Sequence, residues 1–266
     1  FASAMPNLFL GISSALNGIP QLSLGDIIGN NLVATTLAVA LGVLFSKNKK
    51  IETNSRTVQS TTFFTLIAAL LPLILIYDHQ LSRSDGLILI LGFLAYLFWL
   101  FSKKERFQKI YQNEEETPKI DNTLKNFRLF IKNIFIILGL IIAVFIVSQL
   151  IVFSAQSITK QLGISLLFFG LIVTGLASAM PEVYFAINAA KREENWMILG
   201  NLMGSIIFPA TLILGLIALI HPIDIPDVSS IFIARFFMIA AITFFFIFVQ
   251  TDKKISKKEA IFLLLL

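Results

Sequence analysis

Long apolar runs alternate with short polar connections along the whole chain. The apolar runs cover about 22–45, 61–77, 86–101, 130–154, 162–190, 197–220 and 231–249. Residues 1 to about 17 read as the back half of another run, and a last one begins near Glu259. A bilayer core about 30 Å thick needs roughly 17–25 apolar helical residues, so each full run predicts a membrane span. Lipid admits only helices and closed barrels, and these runs are too long and too uniformly apolar for barrel strands. All of them therefore read as helices. Asn17-Gly18-Ile19-Pro20 is a turn signal, and Pro222 and Pro226 punctuate another connection. Residues 103–128 are the only long hydrophilic segment, with a short amphipathic helix expected before Glu114-Glu115-Glu116-Thr117-Pro118. The chain thus divides into a first unit, 1–102, a linker, 103–128, and a second unit, 129–266.

The two units share a sequence. Ala-Ser-Ala-Met-Pro occupies 2–6 and again 177–181, an offset of 175 residues (177 − 2). Without a gap, the same offset aligns Ile12 with Ile187, Ala15 with Ala190, Gly25 with Gly200, Gly29 with Gly204 and Thr36 with Thr211. One register held through two helices and their connection is an internal duplication. The second copy is preceded by a full apolar segment, 130–154, and the first is not. The expectation is a chain lacking one N-terminal helix, part of the next, and the end of the last.

Lys and Arg concentrate in 46–60, 103–128, 191–195 and 250–258, whereas the opposite connections hold only Arg83 and Lys160. The positive-inside rule makes the first set cytoplasmic in an integral protein of the plasma (inner) membrane. The connection after the first motif, about 17–21, is then external, and the matching 191–194 is cytoplasmic. The copies therefore run in opposite senses. These readings predict an all-α polytopic membrane protein, an inverted-topology repeat of two five-helix halves. It should have about ten helices, the first and last truncated.

Composition narrows the chemistry. Of 266 residues, 56% are hydrophobic and 14% charged, and the mean hydropathy is +0.84, which excludes an ordinary soluble domain. The absence of Cys removes disulfides, thiol catalysis and Cys-based metal sites. The net charge of +5 is spent on topology, not nucleic acid. His79 and His221 fall at interfaces, and no nucleophile–base pair or metal cluster argues for an enzyme. No cofactor is implied. The partners are the bilayer and inorganic cations, and the sequence sets no oligomeric state.

Glu182 is the exception within the apolar pattern. A carboxylate deep in a span costs at least about 2.5 kcal/mol and marks an ion path or a bundle interior. Pro181, which lacks an N–H, is expected to open the helix one residue before it. Ser3 with Asn7, and Ser178 with Glu182, are i,i+4 pairs on one helix face. Plainer readings stand beside these. Glu182 can be a neutral acid bonded to Ser178, and Asn7 and Asn30 can bind helices together. Gly25, Gly29, Gly200 and Gly204 can be packing positions. Ser13 and Ser14 are expected in solvent at the outer turn, and Arg235 is expected to reach outward or to pair with Asp224 or Asp227.

The second copy reads ASAMPEVYFAINAA and then ILGNLMGSIIFPATLILGL, and the first reads ASAMPNLFLGISSA and then SLGDIIGNNLVATTLAVALG. Over 1–45 and 175–220 this resembles the two alpha repeats of the sodium/calcium exchanger (cation/Ca²⁺ antiporter) superfamily, G-T-S-x-P-E followed by G-N-x-x-G-S-N-x-x-(N/D). The resemblance implies a secondary active cation antiporter with alternating access around a mid-membrane site for Na⁺, Ca²⁺ or H⁺. It places the second acid on Glu182 and the first on Asn7, a departure. The neighbouring hydroxyls fall on Ser3 and Ser178, and the second-motif ligands on Asn30 and Ser205. Ala34 and Pro209 are further departures. One carboxylate is thin for Ca²⁺, which takes six to eight oxygens. A proton or monovalent cation exchanger, or a non-transporting protein that keeps the fold, stays open. Asp26 stands where the second copy has Asn201 and shares a helix face with Asn30. It either replaces the charge lost at Asn7 or belongs to a helix-capping box with Ser23.

Overall fold

A computed structural model describes residues 2–102 and 123–266. Nine helices are found among the described residues. They are α1 (Met5–Leu16), α2 (Pro20–Phe45), α3 (Arg56–Asp78), α4 (Arg83–Ser102), α5 (Thr123–Leu162), α6 (Leu166–Lys191), α7 (Asn195–Ile220), α8 (Val228–Gln250) and α9 (Lys257–Leu265). Seven of them are long and apolar enough to cross a membrane. The expected amphipathic helix of the linker lies outside the described residues.

Local chemistry sets the helix ends. Pro20 opens α2, its fixed φ suiting a first helical turn. Gly18, at φ +71°, makes the turn that precedes it. Ser165 caps α6, accepting from the Phe168 amide at 3.1 Å, and Asp227 caps α8, accepting from the Ser230 amide at 3.1 Å. A capping box formed by Ser256 and Glu259 opens α9.

The repeat-related helices α2 and α7 form the centre and are largely buried, while α5 is almost wholly exposed at the edge of the described bundle. Leu24, Ile27 and Ile28 of α2 pack in the core with Leu199, Leu202 and Ile206 of α7. Both central helices widen into a π-type turn at repeat-equivalent places, Ala34–Ala38 and Pro209–Ile213. A third such turn, Gly170–Thr174, lies in α6. The expectation that Pro181 opens its helix is corrected here. The helix runs unbroken through Gly175–Lys191, and the widening, Gly170–Thr174, ends about two turns before Pro181. One missing N–H leaves the flanking i→i−4 bonds in place, so the helix continues past the proline.

Two short ribbons, not foreseen in an all-helical reading, tie the halves together. β1 (Lys50–Glu52) pairs antiparallel with β4 (Lys254–Ser256), and β2 (Gln80–Leu81) with β3 (Ile223–Asp224). Each buries one cross-strand apolar pair, Ile51 with Ile255 and Leu81 with Ile223, all fully buried. A single apolar residue in a polar loop finds cover only against another. Helix α3 runs from the first ribbon to the second, so the ribbons mark opposite ends of the bundle. Glu193 meets Lys47 near β1 at 3.4 Å, and Gln21 donates to the Asp224 carbonyl of β3 at 2.9 Å. The two motif connections therefore lie at opposite ends, as an inverted repeat requires.

Two surface expectations are corrected as well. Ser13 and Ser14 are fully buried, because α1 is packed under α2 and α5 up to its last turn. Arg235 is only half-buried, and among the described residues it pairs with neither Asp224 nor Asp227. It donates to the Ile76 carbonyl at 3.1 Å, at the C-terminal end of α3, where the helix dipole favours a cation.

Candidate functional site

The site is built at the crossing of α2 with α6, and glycine makes that crossing possible. A Cβ on Gly25 would lie 2.2 Å from the Leu167 carbonyl, and one on Gly29 2.1 Å from the Leu171 carbonyl. From the other side, a Cβ on Gly175 would lie 2.8 Å from the Gly29 Cα. The two backbones touch, and any larger residue would separate them. The repeat-related Gly200 and Gly204 have open space instead. Packing thus explains the first pair and not the second.

The close approach brings Asp26 against α6. Helix α2 begins at Pro20 with Ile19 at its cap and no side-chain cap bond, so Asp26 lies in the second turn and caps nothing. The capping-box reading is thereby removed. Asp26 is fully buried, and Ser178 Oγ donates to its Oδ1 at 3.1 Å. The Ser178 proton has an alternative acceptor in the Gly175 carbonyl at 3.2 Å. Thr174, buried one turn before Ser178, borders the same cavity as Asp26, and its hydroxyl donates to the Gly170 carbonyl at 3.0 Å.

Glu182 is 2% exposed, one turn beyond Ser178. Ser3, in the turn that leads into α1, lies beside its carboxylate. Ser178, which donates to Asp26, stands one turn before Glu182 on α6, so both carboxylates are placed along the same stretch of that helix. Asn7 of α1 is 3% exposed and borders, together with Asp26 and Ser178, a cavity of about 700 Å³. Asn30 is 1% exposed.

The cluster is under-satisfied. Asp26 Oδ2, Glu182 Oε2 and both amide atoms of Asn30 are buried without a hydrogen-bond partner in the protein. Among the described residues no Lys, Arg or His pairs with either acid; the ion pairs are Lys47–Glu193 and Lys50–Glu52, both at the surface. Buried carboxylates in a low-dielectric setting are costly unless a cation or a proton compensates them. Pro181 adds a further oxygen, because the Ala177 carbonyl has no N–H four residues on. Among the described residues no group of three or more His, Cys, Asp or Glu occurs. The cluster is thus two carboxylates among neutral oxygens, a donor set for a hard cation.

Ser205 differs from the other candidates. It is buried in α7, and its hydroxyl donates to the Leu202 carbonyl of its own helix at 3.0 Å. Thr174 was missed by sequence reasoning. Its signal was a polar residue one turn before Ser178 in an apolar helix, but it lies just ahead of the duplicated stretch and had no counterpart to draw notice.

Comparison with known proteins agrees with this architecture. The family described as sodium/calcium exchanger protein matches residues 1–102 and 132–266. An inner membrane protein of Escherichia coli, YrbG, is 27% identical over 229 residues, covering 85% of this chain and 69% of its own. The sodium/calcium exchanger MaX1 of Methanosarcina acetivorans is 24% identical, covering 99% of this chain and 83% of its own. Among solved structures, the H⁺/Ca²⁺ exchanger CAX matches with a TM-score of 0.74 at 19% identity, covering 99% of this chain and 70% of that one. The sodium-calcium exchanger NCX_Mj matches with a TM-score of 0.66 at 18% identity, covering 99% and 80%. These two matches establish a shared fold.

Proposed function

The chain belongs to the sodium/calcium exchanger family, and from that premise we propose that it is a secondary active antiporter exchanging Ca²⁺ for a monovalent cation. The exchange takes place by alternating access around Glu182 and Asp26. One observation carries this reading. Two buried carboxylates, each with an unpartnered oxygen, lie along one stretch of α6 where helices of the two inverted copies cross, Asp26 held by Ser178 and Glu182 one turn beyond it. Two negative charges match one divalent ion or two monovalent ones, so the same site can hold either cargo but not both.

Asp26 answers the shortage that Asn7 creates. Glu182, Asp26 and the Asn30 carbonyl are the principal oxygen donors, with Ser3, Ser178 and the Ala177 carbonyl beside them. Asn7 and Ser205 complete the candidate set from α1 and α7. Alternating access draws on the inverted repeat, in which the two halves can exchange environments about a fixed site. In this reading 46–60, 191–195 and 250–258 face the cytoplasm, in keeping with the β1–β4 ribbon and the Lys47–Glu193 contact that gather them at one end.

The experiment is uptake of radioactive Ca²⁺ into vesicles that hold the purified protein, driven by an opposing Na⁺ or H⁺ gradient. Uptake under one of the two gradients is expected, and the effective gradient identifies the monovalent partner. Uptake no greater than in protein-free vesicles under both gradients would contradict antiport of Ca²⁺.

A further inference from the structure

The cavity beside Asp26 has a shape that inorganic cations do not need. Its polar end is Asn7, Asp26 and Ser178, and most of its wall is apolar, with Val147 and Ile151 of α5 and Phe169 of α6. Its volume, about 700 Å³, suits an organic molecule of some size. Val147 is 53% exposed and Ile151 38% exposed, on the lipid-facing helix. The cavity is thus walled on one side by α5, whose side chains there are exposed on the outside of the described bundle.

We propose that this cavity is a binding site for an amphiphilic organic cation, a protonated amine on an apolar tail. The ammonium lies at the Asp26 carboxylate beside the Asn7 amide, and the tail lies along α5. Charge complementarity selects this class. Asp26 is fully buried, its Oδ2 has no partner in the protein, and no basic side chain among the described residues pairs with it. An acyl tail alone would fill the apolar part and leave that carboxylate uncompensated. An anion would be repelled. A bare metal ion would use only the polar end. A primary amine keeps its charge at neutral pH, as the lysine side chain does, and supplies up to three N–H donors where Asp26 Oδ2 and the Asn7 amide offer acceptors.

The test uses the protein in lipid nanodiscs, with n-octylamine as the cationic amphiphile, n-octanol as the same tail without charge, and empty nanodiscs as the partition control. Saturable octylammonium binding above the control is expected, with no saturable octanol binding. Asp26→Asn should weaken octylammonium by about tenfold or more, because a desolvated charge partner is lost. Val147→Trp, which fills the cavity from the lipid-facing helix, should abolish binding with Asp26 intact, and so guards against misfolding of the Asp26 variant. Equal binding of octanol, or octylammonium binding that neither variant weakens, would overturn the proposal and assign the cavity to acyl tails. No ion gradient is involved, so this proposal fails or holds separately from antiport.

Discussion

At the scale of single residues, position in the helix decides the role of Asp26. In a first turn its charge would be favoured by the helix dipole and partly solvated. In the second turn of α2, fully buried against Ser178, the same carboxylate has neither benefit. Asp26→Asn keeps the size and the Ser178 acceptor while removing the charge. If Asp26 is a ligand, Ca²⁺ affinity measured by titration calorimetry falls by about tenfold or more. Unchanged affinity would leave Glu182 as the only acid in the site. Glu182 itself was legible in the sequence, since an acid in an apolar run carries its own signal. Asp26 was ambiguous because a helix start cannot be placed to within a turn from Ser23-Leu24-Gly25-Asp26 alone. Thr174 was invisible, since a lone hydroxyl in a span usually bonds its own helix.

At the scale of elements, the four repeat-related glycines look alike in sequence and differ in structure. Gly29→Ala would drive a Cβ against the Leu171 carbonyl and should cost about 1–3 kcal/mol of stability. Gly204→Ala meets nothing within 4 Å and should be neutral or gain up to about 1 kcal/mol from helix propensity. Thermal unfolding in detergent separates the two, and equal losses would contradict the crossing geometry. The connection between α5 and α6 is held to α8 by Asp227. Burial alone would raise the pKa of Asp227, but the Ser165 and Ser230 hydroxyls and the Ser229 and Ser230 amides outweigh it and hold it below the usual Asp value. A depressed pKa means stability present above the unfolded-state value, about 3.9, and lost as pH falls through the lower folded-state value. The difference in melting temperature between wild type and Asp227→Ala should therefore persist at neutral pH and shrink below about pH 4. A constant difference would assign the contact to packing alone. The helices were legible because long apolar runs leave few alternatives. The two ribbons were not, because pairs as short as Gln80–Leu81 with Ile223–Asp224 depend on which loops meet at one end.

At the scale of the whole molecule, the duplication at one offset and the asymmetry of Lys and Arg together contained the inverted architecture, and the π-type turns repeat it in the backbone. The chain lacks Cys, so single-Cys variants report one position each. Gln21→Cys and Arg192→Cys, in sealed vesicles of known orientation, should react with an impermeant maleimide from opposite sides, and labelling from the same side would refute the inversion. The central claim is that the carboxylate cluster at the α2–α6 crossing carries the transported cation, and gradient-driven Ca²⁺ uptake by Glu182→Gln beside wild type, at matched protein content, tests it most directly. The account predicts uptake by wild type and a fall to the level of protein-free vesicles for Glu182→Gln. Uptake by Glu182→Gln at the wild-type rate would contradict it.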